Sequence, residues 1–542
     1  MRTNYGKIFS QRETAQSRPI PGSAQVKNSA GGYSWSVDDW ARLDRFLILG
    51  SEGGSYYASQ RALSIDNAEA ILRCLAEDGT RLVDRVVEIS RSGRAPKNDP
   101  AIFALALAAK LGDPQTRTRA YAAVSRVCRI GTHLMHFAEY AESFGGWGRG
   151  MRRAVARWYN NRPAERLAYQ VVKYQARDGW SNRDLLRLSH PKASSPAHQE
   201  LYRWVTKGIW TGSEHRELDL IEAFERAKRV SDVNELIQLI HSHGLPRECI
   251  PTEWLVHPGV WEALLVKMPM TAMIRNLATM TRIGLLTSMS QATRTVLARL
   301  GDSTRLHKAR IHPIAVLSAL LTYRAGHGVR GRHRWQPVGR IVDALDSAFY
   351  ASFGAVEPTG KRTLLGLDVS GSMACGQIAG VPGLTPRVAS AAMALITATV
   401  ETEYGFVAFT GGNWSSKTPK VGSSLRELDI SPRQRLDDVI RRIDRLPFGA
   451  TDCALPMLWA LEKRIPVDMF AIYTDSETWV GHIHPVQALN KYRREMGIPA
   501  KLIVVGMVSN GFTIADPNDA GMLDVVGFDT ATPAVMSAFA RA

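Results

Sequence analysis

The chain has no apolar run near the roughly 18 residues that a membrane-crossing helix needs, and its opening residues MRTNY are polar, without the apolar segment of a signal peptide. Both absences lead to the expectation of a cytoplasmic protein that makes no use of a membrane. Cysteine is scarce as well: Cys74, Cys128, Cys249, Cys375 and Cys453 are widely spaced and never form a C-x-x-C pair. That excludes a disulfide framework and the common zinc and dithiol motifs, and leaves reduced thiols with no assigned role. Acidic residues are short in only part of the chain. From residue 358 onward 18 Lys and Arg stand against 18 Asp and Glu, whereas residues 1–357 hold 50 basic and 33 acidic side chains, the whole of the net charge of +17. An excess of one sign on that scale points to a polyanionic partner; nucleic acid is the commonest one in the cytoplasm, with an acidic membrane surface the alternative.

What is present is a globular composition, 45% apolar and 8% aromatic over 542 residues, enough for more than one core. Residues 1–35 are polar and rich in Ser, Gly, Gln and Pro, which predicts a mostly extended arm. Beyond it apolar residues recur at helical spacing, as in Trp40, Leu43, Phe46 and Leu47 and again in Leu82, Val86, Val87 and Ile89. Further helices are predicted over 101–111, 120–130, 132–143, 151–159, 230–240, 257–267, 271–281 and 313–323, separated by Gly and Pro. Helices in unbroken succession with short links predict an α-solenoid of stacked hairpins.

After residue 358 the texture changes. Strands at 363–367, 404–409, 469–474 and 501–508 alternate with helices at 389–402, 432–445, 454–463 and 485–494, the second of them capped by Ser431 with Pro432 in its first turn. This alternation predicts a doubly wound α/β domain, a parallel sheet covered by helices, with ligands beyond the carboxyl ends of its strands.

The stretch 361–373 reads KRTLLGLDVSGSM, a short apolar strand that ends in Asp368, Ser370 and Ser372, three hard oxygen donors at alternate positions. A carboxylate with two hydroxyls suits a divalent cation that keeps room for an outer ligand. Thr451, in a loop leading into a helix, and Asp475, at the end of another strand, complete a set of oxygen donors from three loops. That set resembles the metal-ion-dependent adhesion site of von Willebrand factor A domains, with Mg2+ as the expected ion. Enzyme readings fail on chemistry. A haloacid dehalogenase-type phosphatase needs a second Asp where Ser370 stands, and Gly354 to Arg362 lacks the P-loop spacing and the Ser or Thr after Lys361. One cation with hydroxyl ligands also lacks the carboxylate cluster of two-metal phosphodiester chemistry. The chain is therefore expected to be non-catalytic.

Basic and aromatic residues interleave most densely over 173–192. Lys173 and Arg177 are four apart, as are Arg183 and Arg187, so that on a helix each pair shares one face suited to a phosphate backbone. His190 and Lys192 follow, although His190 before a proline also reads as a satisfied helix-end histidine, and Leu185, Leu186 and Leu188 read as core. Two glycine-rich loops, 145–150 with Arg149 and 326–331 with Arg330 and nearby Arg332, read as basic loops near phosphates; 326–331 fits the dinucleotide fingerprint but follows a helix. His482 and His484 are two apart without a third ligand, a weak metal pair.

Several segments in one order, among them Trp180-Ser181, Asp184 to His190, Met268-Pro269, Ala309 to Pro313, Gly326-His-Gly328, Thr451-Asp-Cys453 and Asn510 to Pro517, resemble the Ro autoantigen family of TROVE-domain proteins over nearly the whole chain. The resemblance implies a monomeric, HEAT-like helical repeat ring at residues 1–357, closed by a von Willebrand factor A-like domain at 358–542 of Rossmann-like topology. It implies a small noncoding Y RNA on the outer surface, with contacts carried onto Lys173, Arg177 and His190. It further implies single-stranded 3' ends of misfolded or defective noncoding RNAs in a central hole, and an exoribonuclease tethered through Y RNA. The rival expectation is a protein-adhesion module that grips an acidic side chain through the ion, with the basic part as scaffold.

Overall fold

A computed structural model gives the fold and describes residues 13–52, 55–328, 333–353, 357–378, 384–411, 424–431, 433–446 and 449–542. They fall into two compact units, Leu72–Ser352 and the pairing of Met1–Ile71 with Phe353–Ala542. The classes are the two expected from the sequence, an array of helices and a doubly wound α/β sheet.

In the first unit local chemistry sets the helix ends. Asp113 caps Pro114–Val127, accepting from the backbone N–H groups of Gln115 at 2.8 Å and Thr116 at 3.0 Å. Ser181 and Asp184 form a capping box at the start of Asn182–Ser189. Asp99–Leu111 packs on both Pro114–Val127 and Gly131–Ser143, and Pro114–Val127 packs in turn on Arg149–Asn160. The same neighbour-on-neighbour pattern joins Val233–His243 to Pro258–Lys267 and Pro313–Ala325 to Gly339–Ala351. Ile102, Leu105, Val124, Phe137, Trp158 and Tyr159 are all fully buried in this stack. The long helix Gln60–Ser92 breaks at Asp78 (φ −153°, ψ 90°), whose carboxylate caps the following turn through the N–H of Arg81 at 2.9 Å. Gly79 follows because a Cβ there would lie 2.4 Å from Thr116 Oγ1.

In the second unit the six strands run in the order Met522–Val526, Lys501–Gly506, Met469–Thr474, Thr363–Asp368, Tyr404–Phe409, Leu425–Leu428, all parallel except the last. Thr363–Asp368 is central, with the chain continuing to one side of it and returning on the other. That reversal opens a crevice at the strand's carboxyl end. The predicted cap at Ser431 is not found: the helix begins at Leu436, and the Ser431 hydroxyl instead accepts from Arg433 N–H at 3.2 Å within the preceding turn. Pro432 lies outside the described residues, and the apolar face formed by Leu436, Val439, Ile440 and Ile443 decides where the helix starts.

Residues 1–12 of the predicted arm lie outside the described residues, and residues 13–36 are more ordered than an extended arm. Tyr33–Ser36 pairs with Val26–Lys27 on one side and with Phe512–Thr513 on the other. Gln16 is fully buried, its amide donating to Asp452 Oδ1 at 2.7 Å and to the Ile483 carbonyl at 2.8 Å. The helix Asp39–Leu49 follows, and its Arg45, 1% exposed, makes two 2.7 Å bonds to the Asp524 carboxylate and donates to the Asn510 and Phe512 carbonyls.

Candidate metal centre and nucleic-acid interface

The sheet brings the five predicted oxygen donors into one crevice. Asp368 is the last residue of the central strand, Asp475 follows the adjacent strand Met469–Thr474, and Thr451 lies in the loop before helix Leu455–Glu462. All five, with Ser370 and Ser372, are buried. Asp368 Oδ1 accepts from Ser370 N–H at 2.9 Å and Oδ2 from Thr474 Oγ1 at 2.7 Å, while the Ser370 and Ser372 hydroxyls lie 3.1 Å apart. Asp475 accepts from Glu477 N–H at 3.0 Å and is bonded by the Ser372 hydroxyl.

A cation in this cluster would relieve its electrostatics. Burial, followed by the negative charges of Asp368 and Glu477, pushes the Asp475 carboxyl up to about 8. Burial raises Asp368 as well, against the hydrogen bonds it accepts. Arg387, itself buried, donates to the Ser370 carbonyl at 3.3 Å and adds a positive charge at some remove. Two carboxylates and three hydroxyls are the all-oxygen donor set that a small hard cation takes, so the residues fit Mg2+. Among the described residues no group of three or more His, Cys, Asp or Glu is placed to hold a metal, in keeping with a crevice whose donors are mostly hydroxyls.

Sequence reasoning did not find Tyr57, Thr474, Glu477 or Gln16. The Tyr57 phenol bonds Ser372 beside Asp475, and its pKa is raised by burial and then by Asp475, Glu477 and Asp368. Nothing local marks it, because it reaches the crevice from more than 300 positions away in the chain. His484 is structural, its ring nitrogens lying 2.8 Å from the Arg18 carbonyl and 3.2 Å from the Gln25 amide.

The predicted nucleic-acid residues fall on three pieces of local structure. Lys173 ends the helix Ala164–Lys173, with its ammonium 5.3 and 5.4 Å from the ring centres of Tyr169 and Tyr174. Arg177 does not share a helix face with it. Ala176–Arg177 pairs antiparallel with Trp180–Ser181 around Asp178 (φ 52°) and Gly179 (φ 79°), a tight hairpin that leaves Arg177 exposed. The Asp-Gly dipeptide was the signal for this turn. His136 Nδ1 contacts the Asp178 carboxylate and its Nε2 lies 3.5 Å from Asp99, and Trp180 donates to Glu139 at 2.9 Å, so the hairpin is held against helix Gly131–Ser143.

Arg183 and Arg187 do share one helix face, and there they donate to the Val205 and Thr206 carbonyls at 3.3 and 3.1 Å, at the C-terminal end of helix Pro196–Lys207. Both remain exposed, as do His190 (φ 45°, the residue ending the helix), Lys192 and Arg149. Leu185 and Leu186 are core; Leu188 is half-buried. Arg330 and Arg332 lie outside the described residues.

Comparison with known proteins identifies the family of both parts of the chain. The TROVE domain model matches residues 26–322 and the Ro60 vWA domain model residues 362–540. The chain is 42% identical to the RNA-binding protein RO60 of Deinococcus radiodurans over 519 residues, 95% of each chain. It is 37% identical to the RNA-binding protein RO60 of Caenorhabditis elegans, covering 95% of this chain and 90% of that one. The crystal structure of the Deinococcus radiodurans RO (RSR) protein superposes with a TM-score of 0.70 at 42% identity, over 93% of this chain and 99% of the other.

Proposed function

The chain belongs to the Ro family of TROVE-domain proteins, and from that premise we propose that it is a non-catalytic RNA-binding protein of RNA quality control. The observation that carries this reading is the one-sided charge of the helical unit, together with exposed cations at Arg177, Arg183, Arg187 and Lys192 on adjoining elements. In this reading Y RNA lies on the outer surface over Lys173, Arg177 and His190. Single-stranded 3' ends of misfolded or defective noncoding RNAs enter the central hole that the family resemblance implies, and an exoribonuclease is tethered through the Y RNA. The protein acts as a cytoplasmic monomer. A Mg2+ ion held by Asp368, Ser370, Ser372, Thr451 and Asp475 supplies a Lewis-acidic position for an outer acidic ligand. Buried carboxylates with raised proton affinity support that ion.

RNA affinity measured against salt tests the reading: a steep fall is expected, with a slope of about −0.7 to −0.9 per phosphate neutralised, and a flat response would exclude phosphate contact as the main contribution. Replacing Lys173, Arg177 and His190 together by Ala is expected to weaken a structured Y RNA at least tenfold more than a single strand; equal loss for both would remove the outer-surface assignment. The crevice favours a second reading, adhesion to an acidic protein partner through the ion. Protein purified from its own cells with no excess absorbance at 260 nm over 280 nm would favour it.

A further inference from the structure

We infer that the start of the Ala164–Lys173 helix is a phosphate-binding site for a bound RNA strand, separate from the hairpin and the 182–192 segment; the ligand class rests on the RNA-binding reading above. A cavity of about 680 Å³ opens there, lined by Arg129, Asn161, Arg162, Arg166, Gln170 and His243. Two of the guanidinium groups are fixed but not neutralised. Arg129 Nη1 donates to the Ser90 carbonyl at 2.8 Å and its hydroxyl at 2.7 Å. Arg162 stacks 3.6 Å over the Trp158 ring and donates to the Cys128 and Arg129 carbonyls, each at 3.4 Å. Every one of these acceptors is uncharged. Among the described residues no carboxylate pairs with Arg129, Arg162 or Arg166; Glu165 is the acidic residue of the lining.

Holding cations this way costs free energy, and the pKa values register it. Burial lowers Arg162 to about 10, and burial followed by the like charge of Arg310 lowers Arg129. An anion between them would relieve both effects. The helix adds its own attraction, because Pro163 precedes it without a side-chain cap and its first N–H groups have no side-chain acceptor there. Gln170 accepts from Gly131 N–H at 3.0 Å through Oε1, which leaves its amide N–H groups as donors.

A second cavity of about 350 Å³ shares Tyr169 and His243 with the first and adds the cations Lys173, Arg247 and Lys267 against one carboxylate, Glu248. Cations at two places along one helix, with an aromatic ring between them, suit successive phosphates of a strand better than one free anion.

The test is fluorescence anisotropy of the full chain with a single-stranded oligoribonucleotide across a salt series, for wild type, Arg166→Glu and Arg129→Gln. Arg166 is exposed, so its reversal leaves the stack intact. Arg166→Glu is expected to weaken binding about tenfold, as for a lost hydrogen bond to a charged group, and to reduce the salt slope by about 0.7. Inorganic phosphate added at constant ionic strength should compete with RNA on wild type and lose that effect in Arg166→Glu. Wild-type affinity and slope in both variants, with wild type binding RNA, would overturn the site. Competition by inorganic phosphate without any change in RNA affinity would assign the cavity to a free phosphoanion and overturn the strand. Failure of wild type itself to bind RNA would overturn the functional reading and with it the ligand named here.

Discussion

Residues 72–352 carry 42 basic and 25 acidic side chains, whereas residues 1–71 taken with 353–542 carry 26 of each. The excess of positive charge therefore follows the compact helical unit, and the first 71 residues, with 8 basic and 7 acidic, share the neutrality of the sheet. The two units also place their charges differently. The helical unit leaves Arg177, Arg183, Arg187 and Lys192 exposed, where water screens them and a phosphate can reach them. The sheet unit buries Asp368, Asp475 and Glu477 together, where burial raises the proton affinity of all three and the charges of Asp368 and Glu477 raise that of Asp475 further. Exposed cations suit a large, variable polyanion bound by many weak contacts. Buried carboxylates suit one small ion bound by a few strong ones.

Three experiments would break or sharpen this contrast, beginning with the largest effect. Arg45→Ala removes a buried guanidinium and leaves Asp524 without its partner, so it is expected to destabilise the sheet unit by about 3–5 kcal/mol. Urea unfolding followed by hydrogen exchange should locate the loss at the Asp39–Leu49 helix and strand Met522–Val526, with Pro114–Val127 protected as before. Loss spread equally over both units would erase the division.

The ion comes next. With Mg2+ at a hundredfold over its dissociation constant, wild type should gain about 2.7 kcal/mol of stability and Asp368→Ala none, while RNA affinity in the two proteins stays within twofold. A scanning calorimeter reads the first effect and an RNA titration the second. RNA binding lost along with the ion would join functions that the charge distribution separates.

Smallest for a change of one pH unit, at about 1.4 kcal/mol, is an effect of pH in the helical unit. Burial, then the charge of Arg129, pushes His133 down to about 3 from its ordinary 6.5. Below pH 6.5 the unfolded chain takes up a proton that the folded histidine refuses, so this contribution is present above 6.5 and fades as pH falls toward 3, by about 1.4 kcal/mol per unit. His133→Gln should flatten that part of the stability profile. An unchanged profile would show that the ring is hydrated in the folded state.

Much of the candidate metal site was legible in the sequence because its chemistry is local. Asp368, Ser370 and Ser372 occupy one turn, and the strand before them is an apolar run that cannot face water. The nucleic-acid segment was legible in composition but not in geometry. Equal spacing of four residues means a shared face only on a helix, and the Asp178-Gly179 turn removes Arg177 from the helix that holds Lys173. Charge density also could not show that Arg183 and Arg187 bond the end of a neighbouring helix. Arg129 and Arg162 stood out in neither way, because their importance comes from a shared cavity whose residues lie on separate helices.

By itself the sequence determined what periodicity and local chemistry determine: a helical array, an alternating α/β region, a strand ending in oxygen donors, and a polyanion-binding charge. Only the tertiary structure decided that the N-terminal 71 residues belong with the sheet, since Gln16, Asn28 and Arg45 find their partners more than 400 positions away. The physical reason is that a buried polar group must be satisfied wherever the fold brings an acceptor, and that position is not encoded in the residues beside it.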